Sequence, residues 1–278
     1  MHTLEIVING HCDLNCRYCN RHASICPSTA IYHPNDVRND LTHLIRLGHK
    51  FNIICLTGGE PTINPYLWDY IQIVHELKIN NIQIATNGKY LSIAKDDVLD
   101  KLVDNKVSLI ISVYPELSGI DYDSLFTRLQ DKHIPFIKRT ATYFKRFGDN
   151  KRRYLMLKLQ LSEQPRYLTY EKCFQQMYNC SELYHGIFYK CGVMCNLNYI
   201  DDKFGTKFNS MLVENKDYID IRKLTEFSED ISNYTSTKAV GTTLPFCRYC
   251  SAGYNHGING DFVKWDYSTK DRIEFIQE

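Results

Sequence analysis

Cys12, Cys16 and Cys19 stand in a C-x3-C-x2-C run directly after a short apolar stretch. Three thiolates on one tight loop can bind three irons of a [4Fe–4S] cube and leave the fourth iron open. A structural zinc site takes four ligands in paired spacings, and this run offers three. A second run, Gly58-Gly59-Glu60-Pro61, ends a later apolar stretch. Its glycines let backbone approach a ligand closely, and Pro61 stiffens the exit, although an ordinary strand-to-helix turn has the same residues. The chain has 11 cysteines in 278 residues. An odd count, with no secretory leader ahead of it, points to metal or redox chemistry in a reducing cytoplasm, where disulfides are rare.

These runs need a scaffold, and the hydrophobic pattern describes one. Strands are expected at Thr3–Asn9, Asn52–Thr57, Asn81–Thr86, Val107–Val113, His133–Lys138 and Tyr154–Leu161. Helices are expected at Asn35–Gly48, Asn64–Lys78, Lys95–Asp104 and Asp121–Asp131. Strands apolar on both faces and separated by helices predict a parallel sheet covered by helices. An open doubly wound sheet and a partial β/α barrel both satisfy the pattern, and in either the chemistry belongs at the C-terminal strand ends. The rhythm stops near residue 165, which divides the chain into residues 1–165 and 166–278. In the second part, Cys180–Leu183 and Ile187–Lys190 flank Tyr184-His185-Gly186 and read as a β-hairpin, with Gly186 supplying positive φ.

With both runs in this order, the chain resembles the radical SAM enzymes. The resemblance implies an α/β fold, a partial (β/α)6 barrel, with the three-cysteine loop after the first strand and an aromatic residue, here Tyr18, before the third cysteine. It implies that Cys12, Cys16 and Cys19 hold a [4Fe–4S] cluster whose open iron chelates S-adenosylmethionine. The stretch Gly58, Gly59, Glu60 and Pro61 would meet the methionyl amino group. Asn87, in Thr86-Asn87-Gly88, and Ser112 resemble positions that contact the ribose and carboxylate of the cofactor. The reduced cluster would cleave the sulfonium to a 5′-deoxyadenosyl radical, fed by a reductant such as flavodoxin or ferredoxin.

Cys173-x12-Gly186-x4-Cys191, followed by Cys247-x2-Cys250, resembles the C-terminal extension called SPASM or, in its short form, twitch. This implies a small hairpin-containing domain in which Cys173, Cys191, Cys247 and Cys250 hold one auxiliary [4Fe–4S] cluster. Cys180 is an alternative to Cys173, and a structural Zn(Cys)4 site is the alternative to the cluster. Cys55 reads as core, Cys26 is left over, and Cys195 is a spare thiol near the junction of the two parts. It is either packed or a hydrogen-atom donor.

Thirty-three Lys+Arg balance 32 Asp+Glu, so neither a nucleic-acid binder nor a membrane partner is expected. One local basic run, Lys138 to Arg153, begins at the end of the fifth strand, where Arg139 is a candidate contact for a substrate anion. The resulting expectation is an oxidoreductase acting on a small polar substrate that carries a phosphate or nucleotide. It would oxidise a hydroxyl-bearing carbon of a sugar, cyclitol or nucleotide sugar. The alternatives are an epimerase using a cysteine hydrogen donor and a maturase of ribosomal peptides. An iron–sulfur electron carrier would need no Gly-Gly-Glu-Pro run, and a zinc interaction module differs in its metal.

Overall fold

The computed structural model describes residues 2–14, 16, 19, 21–114, 119–140, 143–145, 181–205, 207–236, 243–249 and 262–264. Five parallel strands follow in chain order: β1 (Thr3–Asn9), β2 (Ile53–Gly58), β3 (Asn81–Thr86), β4 (Val107–Val113) and β5 (Phe136–Thr140). Between them run α1 (Pro34–Arg46), α2 (Leu67–Glu76), α3 (Lys89–Ile93), α4 (Asp96–Asp104) and α5 (Tyr122–Asp131). The short strand β6 (Tyr143–Lys145) pairs antiparallel with β10 (Phe262–Lys264). The expected strand at Tyr154–Leu161 lies outside the described residues.

The second part of the chain adds to the same sheet. Strand β7 (Glu182–Tyr184) runs parallel to β1 on the side away from β2. It turns through His185-Gly186 into β8 (Ile187–Tyr189), which pairs antiparallel with β9 (Tyr218–Asp220). The sheet order is therefore β5-β4-β3-β2-β1-β7-β8-β9. Helices α6 (Leu197–Phe204) and α7 (Glu229–Thr235) flank this end. Both hairpin loop residues have positive φ, 49° at His185 and 78° at Gly186, as a tight two-residue loop requires. A Cβ on Gly186 would come within 2.4 Å of the Arg222 side chain. That guanidinium grips buried Asp40 of α1 with two bonds of 2.9 and 2.7 Å, fastening the hairpin to the scaffold.

Strand alternation sorts the residues onto two faces. Leu4, Ile6, Ile8, Ile54, Leu56, Ile82, Ile84, Leu109 and Ile111 share one core with Leu41 and Leu44 of α1, Ile71 and Val74 of α2, Leu99 of α4 and Leu125 and Leu129 of α5. The opposite face differs from the expectation of strands apolar on both sides. Register aligns Glu5 with Cys55 and Glu182, Cys55 with Gln83, and Ser112 with Arg139. This wall carries charged and polar side chains where the helix-covered face carries aliphatic ones. Among the described residues, no helix is long and apolar enough to cross a membrane.

Candidate active site

The loop that leaves β1 at Asn9 and the end of β2 are built against each other. Gly59 N donates to the Asn9 carbonyl at 2.8 Å, and Glu60 N donates to that of His11 at 2.9 Å. The Asn9 side-chain amide returns bonds to His11 O (2.8 Å) and Glu60 O (3.0 Å). A Cβ on Gly58 would lie 2.1 Å from the Asn9 oxygen, and one on Gly59 would lie 2.1 Å from the His11 oxygen. Such overlap forbids any side chain, so what the two glycines admit is the cysteine loop's own backbone. The three-cysteine run and the Gly-Gly-Glu-Pro run are thus one structural unit.

Glu60 turns inward and is 1% exposed. Its Oε1 accepts from Thr62 N (3.1 Å), Thr62 Oγ1 (2.6 Å) and Thr86 Oγ1 (2.6 Å), and its Oε2 accepts from Asn87 N (2.7 Å). Burial pushes the carboxyl up, while these four bonds favour the ionised form. Pro61 is buried and opens the 3-10 turn Pro61–Ile63. Glu60 therefore holds the end of β3 to the end of β2 and fixes Asn87. The Asn87 Nδ2 then reaches Asp13 Oδ1 at 2.8 Å and Cys12 Sγ at 3.7 Å, while Lys89 Nζ donates to Asp13 O at 3.1 Å. Tyr122 of α5 ties the neighbouring strand ends together: its hydroxyl oxygen lies 3.0 Å from Asn87 O and 3.1 Å from Ser112 O, and accepts from Tyr114 N.

The three thiols gather in a small apolar cluster of their own, apart from the main core, with Leu14 and Tyr114. Leu14 N donates to Cys12 Sγ at 3.3 Å. Burial first, then Glu60 and Cys19, push the Cys12 thiol well up, so a nearby cation would favour its thiolate. A [4Fe–4S] cube would supply that charge, and three thiols suit it as a donor set, since each thiolate would bind a separate iron. Among the described residues, no three Cys, His, Asp or Glu side chains are drawn together tightly enough for a single metal ion. Tyr18 lies outside the described residues.

The polar wall carries a second group of charges. Arg21, two residues beyond Cys19, pairs with Glu182 on β7 and stands 3.7 Å from Glu5 on β1. Burial, and Glu182 next, push the Glu5 carboxyl up to about 7. Arg139 acts on Glu5 from β5, which places its charge on this wall. Lys138, its neighbour in the basic run, takes the other face: its ammonium lies 3.7 Å from the Phe126 ring centre. Cys195 is 2% exposed and donates to Glu182 Oε2 at 3.3 Å; burial and that carboxylate hold it protonated. Cys55 and Cys26 are buried, the latter under Gly10.

In the second part, Cys191 follows β8 and Cys247 sits in the 3-10 turn Pro245–Tyr249. The residue before each bonds to the same buried Asp217. Lys190 N donates to its carbonyl at 3.0 Å, and Phe246 N donates to its Oδ1 at 2.8 Å. The residues that precede two of the four expected auxiliary ligands thus share one anchor. Cys173, Cys180 and Cys250 lie outside the described residues.

Spacing alone did not single out Arg21, Glu182, Glu5, Asp217, Tyr114 or Tyr122. Their partners are distant in sequence. The one readable signal was a charge set inside an apolar strand, at Glu5 and Glu182.

Residues 6–130 match the radical SAM superfamily, a family of S-adenosylmethionine-dependent enzymes. A probable GTP 3′,8-cyclase of Methanococcus aeolicus is 28% identical over 124 residues, 42% of this chain and 41% of that protein. One of Thermoplasma volcanium is 31% identical over 93 residues, 33% of this chain and 27% of that protein. A 7,8-dihydro-6-hydroxymethylpterin dimethyltransferase of Methanocaldococcus jannaschii is 24% identical over 146 residues, 52% of this chain and 28% of that protein. The matches thus span less than half of these relatives' own lengths. The crystal structure of BtrN in complex with AdoMet and 2-DOIA aligns at 14% identity and TM-score 0.49, over 90% of this chain and 92% of that one. A likeness at that level carries no argument about function.

Proposed function

We propose that residues 6–130, which match the radical SAM superfamily, form a radical SAM domain, and that the protein is an oxidoreductase acting on a small polar substrate bearing a phosphate or a nucleotide. The observation that carries the reading is the convergence of Cys12, Cys16 and Cys19 with Gly59, Glu60 and Asn87 at the C-terminal strand ends. Cys12, Cys16 and Cys19 would hold the first [4Fe–4S] cluster, with S-adenosylmethionine at its open iron. When bound, this pair supplies a 5′-deoxyadenosyl radical that removes a carbon-bound hydrogen atom.

The protein's own residues set where that happens. Asn87 and the stretch Gly58, Gly59, Glu60 and Pro61, packed against the cysteine loop, would help to hold S-adenosylmethionine, with Ser112 at the end of β4. Glu60 acts from behind by fixing Asn87. Arg139 offers a guanidinium to a substrate phosphate, and Glu5, its carboxyl raised to about 7, can accept a hydroxyl proton when ionised. Oxidation to a carbonyl removes one hydrogen atom, one proton and one further electron. The electron would go to an auxiliary [4Fe–4S] cluster held by Cys173, Cys191, Cys247 and Cys250 in residues 166–278, with Cys180 the alternative to Cys173. A sugar, cyclitol or nucleotide sugar suits this chemistry. The relatives named GTP 3′,8-cyclase favour a nucleotide, although their likeness lies in a part of each chain.

Cys195 supports a second reading. A buried, protonated thiol beside the polar wall can give its hydrogen atom to a substrate radical from the opposite face, which is epimerisation. The resulting thiyl would then need one electron and one proton from the external reductant. Turnover in deuterated water separates the two. Dehydrogenation leaves an oxidised product and no deuterium at the attacked carbon. Deuterium there with inverted configuration, lost in Cys195→Ala, would replace oxidation by epimerisation.

A further inference from the structure

We propose that Glu182 and Asn196, more than 160 residues away in sequence, position the three-cysteine loop by clamping Arg21. The hairpin end of the chain is then a working part of the S-adenosylmethionine site, besides any cluster of its own. The proposal rests on the radical SAM reading for its functional meaning, but its geometry stands without it.

The front of the loop is held by the scaffold, through His11 to Glu60 and Asp13 to Asn87 and Lys89. The rear is held from the other part of the chain. Arg21 pairs through Nη1 with Glu182 of β7, and its Nη2 donates to Thr57 Oγ1 at 3.2 Å. Its backbone carbonyl accepts from Asn196 Nδ2 at 2.7 Å. One residue is therefore gripped by side chain and by backbone, two positions beyond Cys19. The turn between them is short: His22 N donates to Cys19 O at 3.0 Å, and Cys19 N to Cys16 O at 3.4 Å. A shift of Arg21 passes along this turn to Cys19 and Cys16.

The grip is directional because Glu182 has nowhere else to go. Its side chain is fully buried, and a Cβ on Gly192 would stand 2.4 Å from its Oε1, so the segment after Cys191 lies directly on the carboxylate. A buried carboxylate without a counter-cation is strongly unfavourable, and among the described residues Arg21 is the cation that reaches it. Asn196, in the same segment, is 1% exposed and aims its amide at the Arg21 carbonyl. The segment that would carry an auxiliary ligand at Cys191 is thus the one that fixes the rear of the first loop.

Positioning residues should be tested by loop order, measured on the full chain without iron. The readout is the alkylation rate of Cys12, Cys16 and Cys19 by iodoacetamide, followed by peptide mass spectrometry. Asn196→Ala removes one hydrogen bond and leaves the ion pair in place. Glu182→Gln keeps the shape and removes the charge. Alkylation of Cys19 should accelerate about three- to tenfold in Asn196→Ala, the factor carried by one ordinary hydrogen bond, and further in Glu182→Gln. Arg222→Ala is the control. It breaks the Asp40 tether between the same two parts of the chain without touching the loop, and should leave the rate unchanged. In iron-loaded protein, the two clamp variants should also weaken the change that S-adenosylmethionine causes in the electron paramagnetic resonance spectrum of the reduced cluster. Parent-like alkylation in Asn196→Ala and Glu182→Gln, or equal acceleration in Arg222→Ala, would overturn the clamp. Failure to bind iron with the alkylation pattern intact would overturn the radical SAM function and leave the clamp standing.

Discussion

Replacing Glu60 by Gln separates two accounts of the Gly-Gly-Glu-Pro run. In the structure the carboxylate accepts two backbone N–H groups, from Thr62 and Asn87, and two threonine hydroxyls. An amide has one acceptor oxygen, so either orientation of the substituted side chain sets its NH2 against a backbone N–H. The threonine hydroxyls can turn to accept, but the orphaned N–H cannot. A hydrogen bond to a charged acceptor contributes roughly 1.5–3 kcal/mol, and removal of a buried charge offsets part of that loss. The net cost is about 2 kcal/mol, which corresponds to a fall in Tm of roughly 4–8 °C for a chain of this size. Asn87 is loosened with it, and S-adenosylmethionine cleavage should slow about tenfold, the rate equivalent of a barrier rise of about 1.4 kcal/mol. Thermal melts at neutral pH and 5′-deoxyadenosine assays on the same samples check this. An unchanged Tm with weaker S-adenosylmethionine binding would mean that the carboxylate meets the ligand itself. An unchanged Tm with full cleavage would refute the positioning role altogether.

Glu5 predicts a pH dependence with a defined sign. Its carboxyl is raised from 4.5 to about 7, first by burial and then by Glu182. Its contribution to stability is therefore complete below about pH 4.5 and lost as pH rises through about 7. After allowance for solvent screening, melts of the parent and Glu5→Gln at pH 5 and pH 8 should diverge by about 2 kcal/mol in favour of the Gln variant at the higher pH; parallel curves would contradict this. Gly59→Ala should abolish folding or cleavage because its Cβ meets the His11 oxygen, whereas Gly205→Ala, with open space around it, should cost only about 1 kcal/mol for its positive φ, measured by denaturant titration. Asp217→Asn orphans Phe246 N or Val213 N, and iron per chain should fall from about eight towards four while S-adenosylmethionine cleavage survives. Retention of all the iron would mean that the Asp217 anchor does not govern the second cluster.

What could be read beforehand was whatever depends on near neighbours. The strands Asn81–Thr86 and Val107–Val113 occur where their apolar residues place them, since turning Ile82 and Ile84, and Leu109 and Ile111, to the core leaves little choice of register. The two-residue hairpin loop followed from one glycine. Boundaries failed where side chains or turns intervene. The helix expected from Asn64 begins at Leu67, because Asn64 uses its amide on Ile8 O and its Oδ1 on Tyr66 N. The strand expected from His133 begins at Phe136, because His133 adopts φ 54° and Ile134 N closes back on Leu129 O at 2.9 Å. Arg21 with Glu182, and Asp217 with Phe246, are contacts across long stretches of chain, and no local spacing encodes such pairs.

The central claim is that Cys12, Cys16 and Cys19 carry a cluster that cleaves S-adenosylmethionine, and formation of 5′-deoxyadenosine tests it most directly. Anaerobically reconstituted protein, reduced with dithionite and given S-adenosylmethionine, should release 5′-deoxyadenosine, and Cys16→Ala under the same conditions should release none. Iron-loaded parent protein that releases none, or a Cys16→Ala variant that releases as much as the parent, would contradict the account.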